Sequence, residues 1–262
     1  MYRTKNDLEY IIKNSVVDQF LDVAKEAFAT EQIANNGGYE SYWVKYLEDY
    51  PVYIGKDDNG YVFPDAYYTT DSSGNRILKP EIDEYVKLGK VRPTLEKYME
   101  DLTKQELEKA SLDNPDFIEF IKPYFASLVQ NLADNIHRKA EKILAQKQDL
   151  TQEQVDRYLA KYQTAKLAKE GDEQANELME ASAVLEGVDK DKLINLIIDL
   201  GDNWQNKLRE FYVLIDSTRV GINRLFDVNP GKAIDLTIKT TKLGTDVTPD
   251  KLKELYNEII NS

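Results

Sequence analysis

Residues Asp189–Asp227 read DKDKLINLIIDLGDNWQNKLREFYVLIDSTRVGINRLFD, and their apolar side chains recur at steps of three and four positions. The row consists of Leu193, Ile197, Leu200, Trp204, Leu208, Phe211 and Ile215, and it resumes after Thr218 at Ile222 and Leu225. An α-helix turns once every ~3.6 residues, so this spacing places the whole row on one face of a long helix. We call the row the seam, and we expect it to pack against other helices and to end or bend near Thr218 and Gly221.

The composition is typical of a folded globular protein. The chain has 262 residues, of which 42% are hydrophobic and 31% are charged. Its 12 glycines and 8 prolines are few, which favours a mainly helical protein with short irregular segments. It has no cysteine, which excludes disulfide bonds, thiolate metal ligands and a cysteine nucleophile. We predict one mostly helical domain over residues 1–262.

The N-terminal residues and the charge balance bear on location and partners. The first residues, Met1–Asp7, lack the apolar core of a signal peptide, and no apolar run reaches membrane-spanning length. We therefore expect a protein of the cytoplasm, or one packaged into a particle assembled there, without a membrane partner. The net charge of −13 makes nucleic acid an unfavoured direct ligand, because such binding depends on cations that neutralise phosphates.

Three long helices joined by short links are predicted in the second half of the chain. They cover residues 116–146, 152–185 and 189–227, and the second is weakened by Gly171-Asp172. Short links make neighbouring helices antiparallel, so the stripes Phe117–Ile143 and Val155–Met179 are the expected partners of the seam. Further helices are predicted over 4–34, 39–50 and 81–88, from Pro93 onward, and from Thr248 to the end of the chain.

Residues 39–79 have a different, tyrosine-rich character. Residues 52–54 and 61–63 flank a turn rich in asparagine and glycine, and residues 67–70 and 76–78 flank a second turn at 71–75. The predicted fold is therefore mainly α: an antiparallel bundle of long helices with a small β-hairpin element inserted near residues 52–78. The segment 39–79 is its arm or subdomain. Residues 233–239 alternate as a strand does, so we expect a strand that pairs with the hairpins; a helix rich in β-branched residues is the alternative.

No constellation for catalysis stands out. His137 has Asp134 and Glu141 at helical spacing, but the three lie off the apolar stripe among cations, which favours a solvated helix face. Asp199, Asp202 and Asp216 flank the seam without the Glu-x-x-His motifs of metal-binding bundles. Phosphate-binding loops and a complete calcium loop are also missing from the sequence. We expect no catalytic, metal-binding or cofactor-binding residue, no cofactor and no enzymatic activity; a hydrolase built on scattered carboxylates is the least favoured reading.

The aromatic residues of the arm are the candidate interaction residues. They are Tyr39, Tyr42, Trp43, Tyr46, Tyr53, Tyr61, Tyr67 and Tyr68. Two interpretations are open: half of them fill the space between hairpins and helices, or they form a surface that contacts another subunit.

Two non-enzymatic hypotheses follow. The leading one is a structural or assembly subunit, in a homo-oligomer or larger assembly, with a helical body and an arm that contacts neighbours. A phage or virion connector or ring is one example, and the usage of isoleucine, lysine, asparagine and tyrosine fits an AT-rich genome. The alternative is an acidic binding or inhibitor protein that occupies a basic site on a host protein. No motif assigns the chain to a family.

Overall fold

The fold of the chain is mainly α in the computed structural model. The structure describes residues 3–53, 55–57, 60–244 and 247–262, without the side chains of residues 39, 40, 55–57, 60–62 and 95. The described α-helices are α1 (Lys5–Lys13), α2 (Phe20–Asn35), α3 (Gly38–Asp49), α4 (Pro80–Lys87), α5 (Leu95–Lys109), α6 (Pro115–Lys147), α7 (Gln152–Lys169), α8 (Glu173–Glu186), α9 (Lys190–Val228), α10 (Pro230–Leu243) and α11 (Pro249–Ile260). The described strands are β1 (Gly55–Asp57), β2 (Gly60–Val62), β3 (Tyr68–Thr70) and β4 (Arg76–Leu78). The prediction of a mainly α fold with a hairpin element near residues 52–78 is confirmed.

The chain divides into two compact units. The first contains the described residues up to Tyr10 together with Gln19–Ile121, and the second contains Ile11–Asp18 together with Lys122–Ser262. The described residues of the tyrosine-rich segment 39–79 lie in the first unit. The seam and all three long predicted helices, apart from the first residues of α6, lie in the second.

The first predicted helix is interrupted, contrary to the expectation of one helix over 4–34. Ser15 has a left-handed backbone with φ of 54°. The N–H of Val16 donates to the carbonyl of Ile11 at 3.0 Å and that of Ser15 to Ile12 at 3.1 Å, which is the hydrogen-bond pattern that closes a helix. The apolar spacing continues across this break, so periodicity alone did not reveal it.

The two hairpins of the first unit differ from the prediction to different degrees. β3 and β4 pair as predicted, with Tyr68 opposite Leu78, and the Asp71 carboxylate accepts from the N–H groups of Ser73 and Asn75 at 2.8 Å each. The other hairpin is shifted, because β1 begins at Gly55 inside the predicted turn. Val52 lies outside it, fully buried, in a bridge with Val91. Ile54, which was predicted to continue the strand from Val52, lies outside the described residues.

Residues 233–239 are helical, so the expected strand and its pairing with the hairpins are wrong. They lie inside α10, which begins at Pro230 with the Asn229 side chain accepting from the N–H of Lys232. The buried positions of α10 are Ala233, Ile234, Leu236, Thr237 and Thr240, which have helical rather than alternating spacing. The threonine hydroxyls donate to carbonyls four residues earlier, and this satisfies them within the helix.

The second unit is organised around α9. This helix begins after Asp189, whose carboxylate accepts from the N–H of Lys192, and it ends one residue beyond the predicted limit. α6 runs antiparallel to it, since Phe125 stacks on Phe226 with ring centroids 4.4 Å apart and His137 stacks on Tyr212 at 4.9 Å. The expected antiparallel packing of α6 on α9 is confirmed, although the stacked rings of Tyr212 and Phe226 lie beside the seam and not in it.

The predicted helix 152–185 is two helices, α7 and α8, as the weak point at Gly171-Asp172 suggested. Gly171 has φ of 96°, and the Asp172 carboxylate caps α8 by accepting from the N–H of Ala175. α7 starts with the predicted capping box, in which Thr151 and Gln154 exchange hydrogen bonds. Both helices pack on α9, and so do α10 and α11.

Candidate functional site

Two of the predicted interaction residues are buried inside the first unit. Tyr42 and Tyr46 belong to a core cluster with Ile33, Tyr98 and Leu102. The rings of Tyr46 and Tyr98 have centroids 4.7 Å apart, and the Tyr46 hydroxyl donates to the carbonyl of Pro93. Burial raises the pKa of Tyr42 and of Tyr46. These rings therefore stabilise the unit from within and leave no face for a partner.

Of the other predicted interaction residues, Tyr53 and Tyr67 contact each other, whereas Trp43 and Tyr68 each contact a different residue. Trp43 is 45% exposed and stacks on Tyr46, while Tyr53 is 51% exposed and its N–H donates to the Tyr67 hydroxyl at 3.2 Å. The Arg76 guanidinium lies over the ring of Tyr68, 3.9 Å from its centroid. The side chains of Tyr39 and Tyr61 lie outside the described part of the chain. Contact of the arm with a partner stays a prediction, carried by Trp43 and Tyr53.

Of the acidic and histidine residues singled out in the sequence, the structure brings together His137 and Asp216. The His137 ring stacks on Tyr212, and its Nε2 lies 3.5 Å from a carboxylate oxygen of Asp216. The Asp134 carboxylate accepts from the amide of Gln130 instead of facing His137. Within the described residues no group of three or more histidine, aspartate or glutamate side chains has the geometry of a metal site.

Asp202 contacts α7, whereas Asp199, three residues earlier on α9, makes no ion pair within the described residues. Asp202 accepts a hydrogen bond from the Tyr162 hydroxyl and has the Lys166 ammonium at 3.4 Å. The hydrogen bond from Tyr162 is the main cause that lowers the pKa of Asp202, and Lys166 contributes. This arrangement links α7 to α9 at their exposed edge, since both Asp202 and Asp199 are exposed to solvent.

One concave surface of the second unit is a groove between α7 and α9. We call it the α7–α9 groove; its volume is about 510 Å³. The two helices run antiparallel along it, since Tyr162 faces Asp202 while the Lys169 ammonium bonds to Asn195 at 3.0 Å. Gly201 allows their close approach: a Cβ added there would lie 2.0 Å from the Tyr162 ring.

The lining of the groove is mainly apolar. Val155, Tyr162 and Leu193 are buried at its floor. Leu200 is 61% exposed and Leu196 is 55% exposed along its rim. These two leucines are one helical turn apart on α9, so they present a continuous apolar edge to solvent.

Trp204 forms part of the groove wall and carries an unsatisfied donor. Its indole Nε1 is buried, and no described residue accepts its hydrogen bond. A buried donor without an acceptor costs roughly 1–3 kcal/mol, so native proteins keep few of them. The groove thus combines exposed leucines with a polar group that lacks a partner.

Charged residues of both signs border the groove. At one end, the Lys161 ammonium pairs with the Glu186 carboxylate at 2.9 Å. Lys207 lines the other end, and Lys192, Asp199 and Glu210 lie nearby on α9. These four α9 side chains are exposed and make no ion pair within the described residues.

Within the described residues, the seam is least covered at the groove, where Leu200 is exposed and Trp204 is half-buried. The sequence predicts that another helix covers both residues. Leu196 is not part of the predicted seam, and Tyr158, which was predicted to face inward on the stripe Val155–Met179, is 59% exposed. The sequence does contain an indication of a partner site, because the seam is longer than the core of a monomer requires.

Comparisons of the chain with protein-family models, with curated proteins and with solved structures gave no match. None of the described helices is long and apolar enough to cross a membrane.

Proposed function

We propose that the chain is a non-enzymatic assembly protein that binds a helix of a protein partner in the α7–α9 groove. The observation that carries the proposal is the exposed apolar edge of α9, where Leu196 and Leu200 are more than half exposed beside a buried apolar floor. Exposed apolar surface that is continuous in this way is typical of interaction sites.

A helix is the partner element that fits this groove. The seam has the spacing of side chains that pack by ridges into grooves or knobs into holes, and such arrays are matched by another helix. The groove also runs along the axes of α7 and α9. An amphipathic helix laid there would bury the rim leucines with its own apolar side chains.

Trp204 is the expected anchor of the interaction. Tryptophan is enriched among the residues that dominate binding energy, and it is most effective where it is shielded from water. A partner that shifts the indole ring and offers an oxygen gives the unpaired N–H its acceptor. Binding then removes a cost that the free protein carries.

The borders of the groove support this proposal over the acidic-inhibitor alternative. An inhibitor of a basic site needs acidic residues gathered on its binding face, whereas lysines and carboxylates alternate around this groove. Trp43 and Tyr53 supply a separate proposed contact on the arm. Membership in a connector or ring stays a prediction that the number of copies in solution tests.

Site-specific photocrosslinking tests the proposed function. A benzoylphenylalanine at position 200 is expected to capture a protein, either in the purified sample or in an extract of the cells where the protein occurs. The matched control is the same residue at position 213, because Val213 is as exposed as Leu200, at 59%, but lies on another face of α9. Equal capture at both positions, or none at position 200, would overturn the proposal.

A further inference from the structure

Four charged side chains flank the α7–α9 groove on one side of α9. Lys192, Asp199, Lys207 and Glu210 are exposed, and none is ion-paired within the described part of the chain. A helix turns by roughly 100° per residue, so all four lie within about 100° of Leu200, on the side away from Gly201. Gly201 faces α7. The charges therefore border the open side of the groove, where a further helix would lie.

The signs of these charges alternate along the helix. From the N-terminal end they are positive at Lys192, negative at Asp199, positive at Lys207 and negative at Glu210. A second α9 in the opposite direction presents the reverse order, so each lysine meets a carboxylate. The midpoints of the pairs 192/210 and 199/207 are positions 201 and 203, so both pairs have nearly the same centre. A parallel copy in register would instead place like charges together.

The apolar residues also match across a two-fold axis at this centre, near positions 201–203 of α9. With a two-fold axis near Asp202, Leu200 of one copy lies against Trp204 of the other, and Leu196 lies against Leu208. The surface is then self-complementary, as a two-fold interface requires. Complementary charges at its borders fix the direction and register of the pair.

We infer that the occupant of the α7–α9 groove is a second copy of this chain, with the two α9 helices antiparallel across a two-fold axis near Asp202. This inference rests on the proposed function and names its partner. It gives a closed dimer through this face, so any larger assembly uses another surface.

Cysteine crosslinking tests the arrangement directly, because the natural chain has no cysteine. Asn203→Cys lies near the proposed axis, so this variant is expected to crosslink with itself through a short bismaleimide. Lys192→Cys and Glu210→Cys lie at opposite ends of the contact. Each alone is expected to remain uncrosslinked, whereas an equimolar mixture of the two crosslinks. Val213→Cys, on another face of α9, is the matched negative control.

Charge reversal provides a second test that does not depend on crosslinking geometry. One variant, Lys192→Glu with Lys207→Glu, makes the border acidic; another, Asp199→Lys with Glu210→Lys, makes it basic. Each alone is expected to dimerise at least about tenfold more weakly than the natural chain. Mixed in equal amounts, they are expected to form the heterodimer, seen by native mass spectrometry.

The outcomes separate this inference from the proposed function. If the natural chain stays monomeric while the photocrosslinker at position 200 captures a different protein, the inference is overturned and the proposed function stands. If a dimer forms but Asn203→Cys does not crosslink with itself, the antiparallel arrangement is overturned. If position 200 captures no protein, the groove is not a binding site and both are overturned.

Discussion

Within the described residues, the C-terminal half of α9 (209–228) contacts α6 and α11, whereas the N-terminal half (190–208) contacts α7 and α8. Both halves carry the same apolar row. In the C-terminal half, α11 lies on the face that Gly221 presents, with an Ile259 methyl 3.0 Å from where a Cβ would be. In the N-terminal half the corresponding face is open at Leu196 and Leu200. The same sequence pattern thus serves as core in one half and as a candidate interface in the other.

The largest expected effect is the difference between two leucine deletions. Leu225→Ala removes a side chain that is 5% exposed, so it is expected to lower the free energy of unfolding by roughly 2–5 kcal/mol. Leu200→Ala removes one that is 61% exposed and is expected to cost less than about 1 kcal/mol. Urea unfolding, at a concentration where the protein is monomeric, measures both.

Equal losses in the free energy of unfolding for the two leucine variants would contradict the difference between the two halves of α9. They would mean that Leu200 is covered in the isolated chain, and the α7–α9 groove would then not be open. A Leu200→Ala variant that loses dimerisation while keeping its stability would instead show that Leu200 contributes to an interface and not to the core.

A smaller effect is expected from the glycines of the two halves. Gly201→Ala places a methyl group 2.0 Å from the Tyr162 ring, so it is expected to cost about 1–3 kcal/mol although alanine is the better helix former. Gly221→Ala meets only the Ile259 methyl, at 3.0 Å, and is expected to cost less. Thermal and urea unfolding of the two variants compare them.

Removing the ring that causes the clash provides the control. The Gly201→Ala and Tyr162→Ala double variant should lose less stability than the two single variants lose together, because removal of the ring relieves the clash with the added methyl group. Additive losses would show that Gly201 is not needed for the approach of α7.

Sequence patterns predicted the helices that begin with a capping side chain. Thr151 and Asp189 cap α7 and α9 as their side chains and positions indicated. α10 was missed because its β-branched residues alternate like a strand, and only the side-chain bonds of its threonines to the backbone reveal their fit to a helix. The break at Ser15 was missed because nothing in its side chain demands a left-handed backbone.

The candidate site was less predictable than the fold for a physical reason. Periodicity shows which residues share a face of a helix, but not whether a segment distant in the chain covers that face. The aromatic residues of the arm illustrate the same limit, since Tyr42 and Trp43 are neighbours in sequence while one is buried and the other is exposed.

Thr218 tests the continuity of the seam with a still smaller effect. It is buried, and its hydroxyl donates to the carbonyl of Leu214 at 2.8 Å, so the seam does not lapse there as the sequence suggested. Thr218→Val keeps the shape and loses a bond to a carbonyl that the helix already satisfies. It is expected to raise the free energy of unfolding by up to about 1 kcal/mol, measured by urea unfolding. A decrease in the free energy of unfolding of Thr218→Val would instead assign the hydroxyl a structural role. Thr218→Ala, which removes the methyl group as well, should destabilise the protein in either case.

The smallest expected effect is a pH dependence specific to the N-terminal half of α9. The Tyr162 hydroxyl donates to ionised Asp202, which lowers the pKa of that carboxyl in the folded state. The unfolded chain then takes up the proton at a higher pH than the folded chain does. The stability that this bond contributes is therefore present above about pH 4 and lost as the pH falls through the lowered pKa of Asp202.

Tyr162→Phe isolates this contribution, because it removes the hydroxyl and keeps the ring that packs on Gly201. The stability of the variant, measured by urea unfolding between about pH 3 and pH 7, is expected to fall less steeply with acidification than that of the natural chain. Glu258→Gln is the matched change beside the C-terminal half, where Lys232 and Lys239 lower the pKa of Glu258 by the same kind of charged hydrogen bond. It should flatten the profile independently, so that the two effects add. An unchanged profile in Tyr162→Phe would mean that Asp202 does not hold α7 on α9, and the wall of the groove would then rest on apolar packing alone.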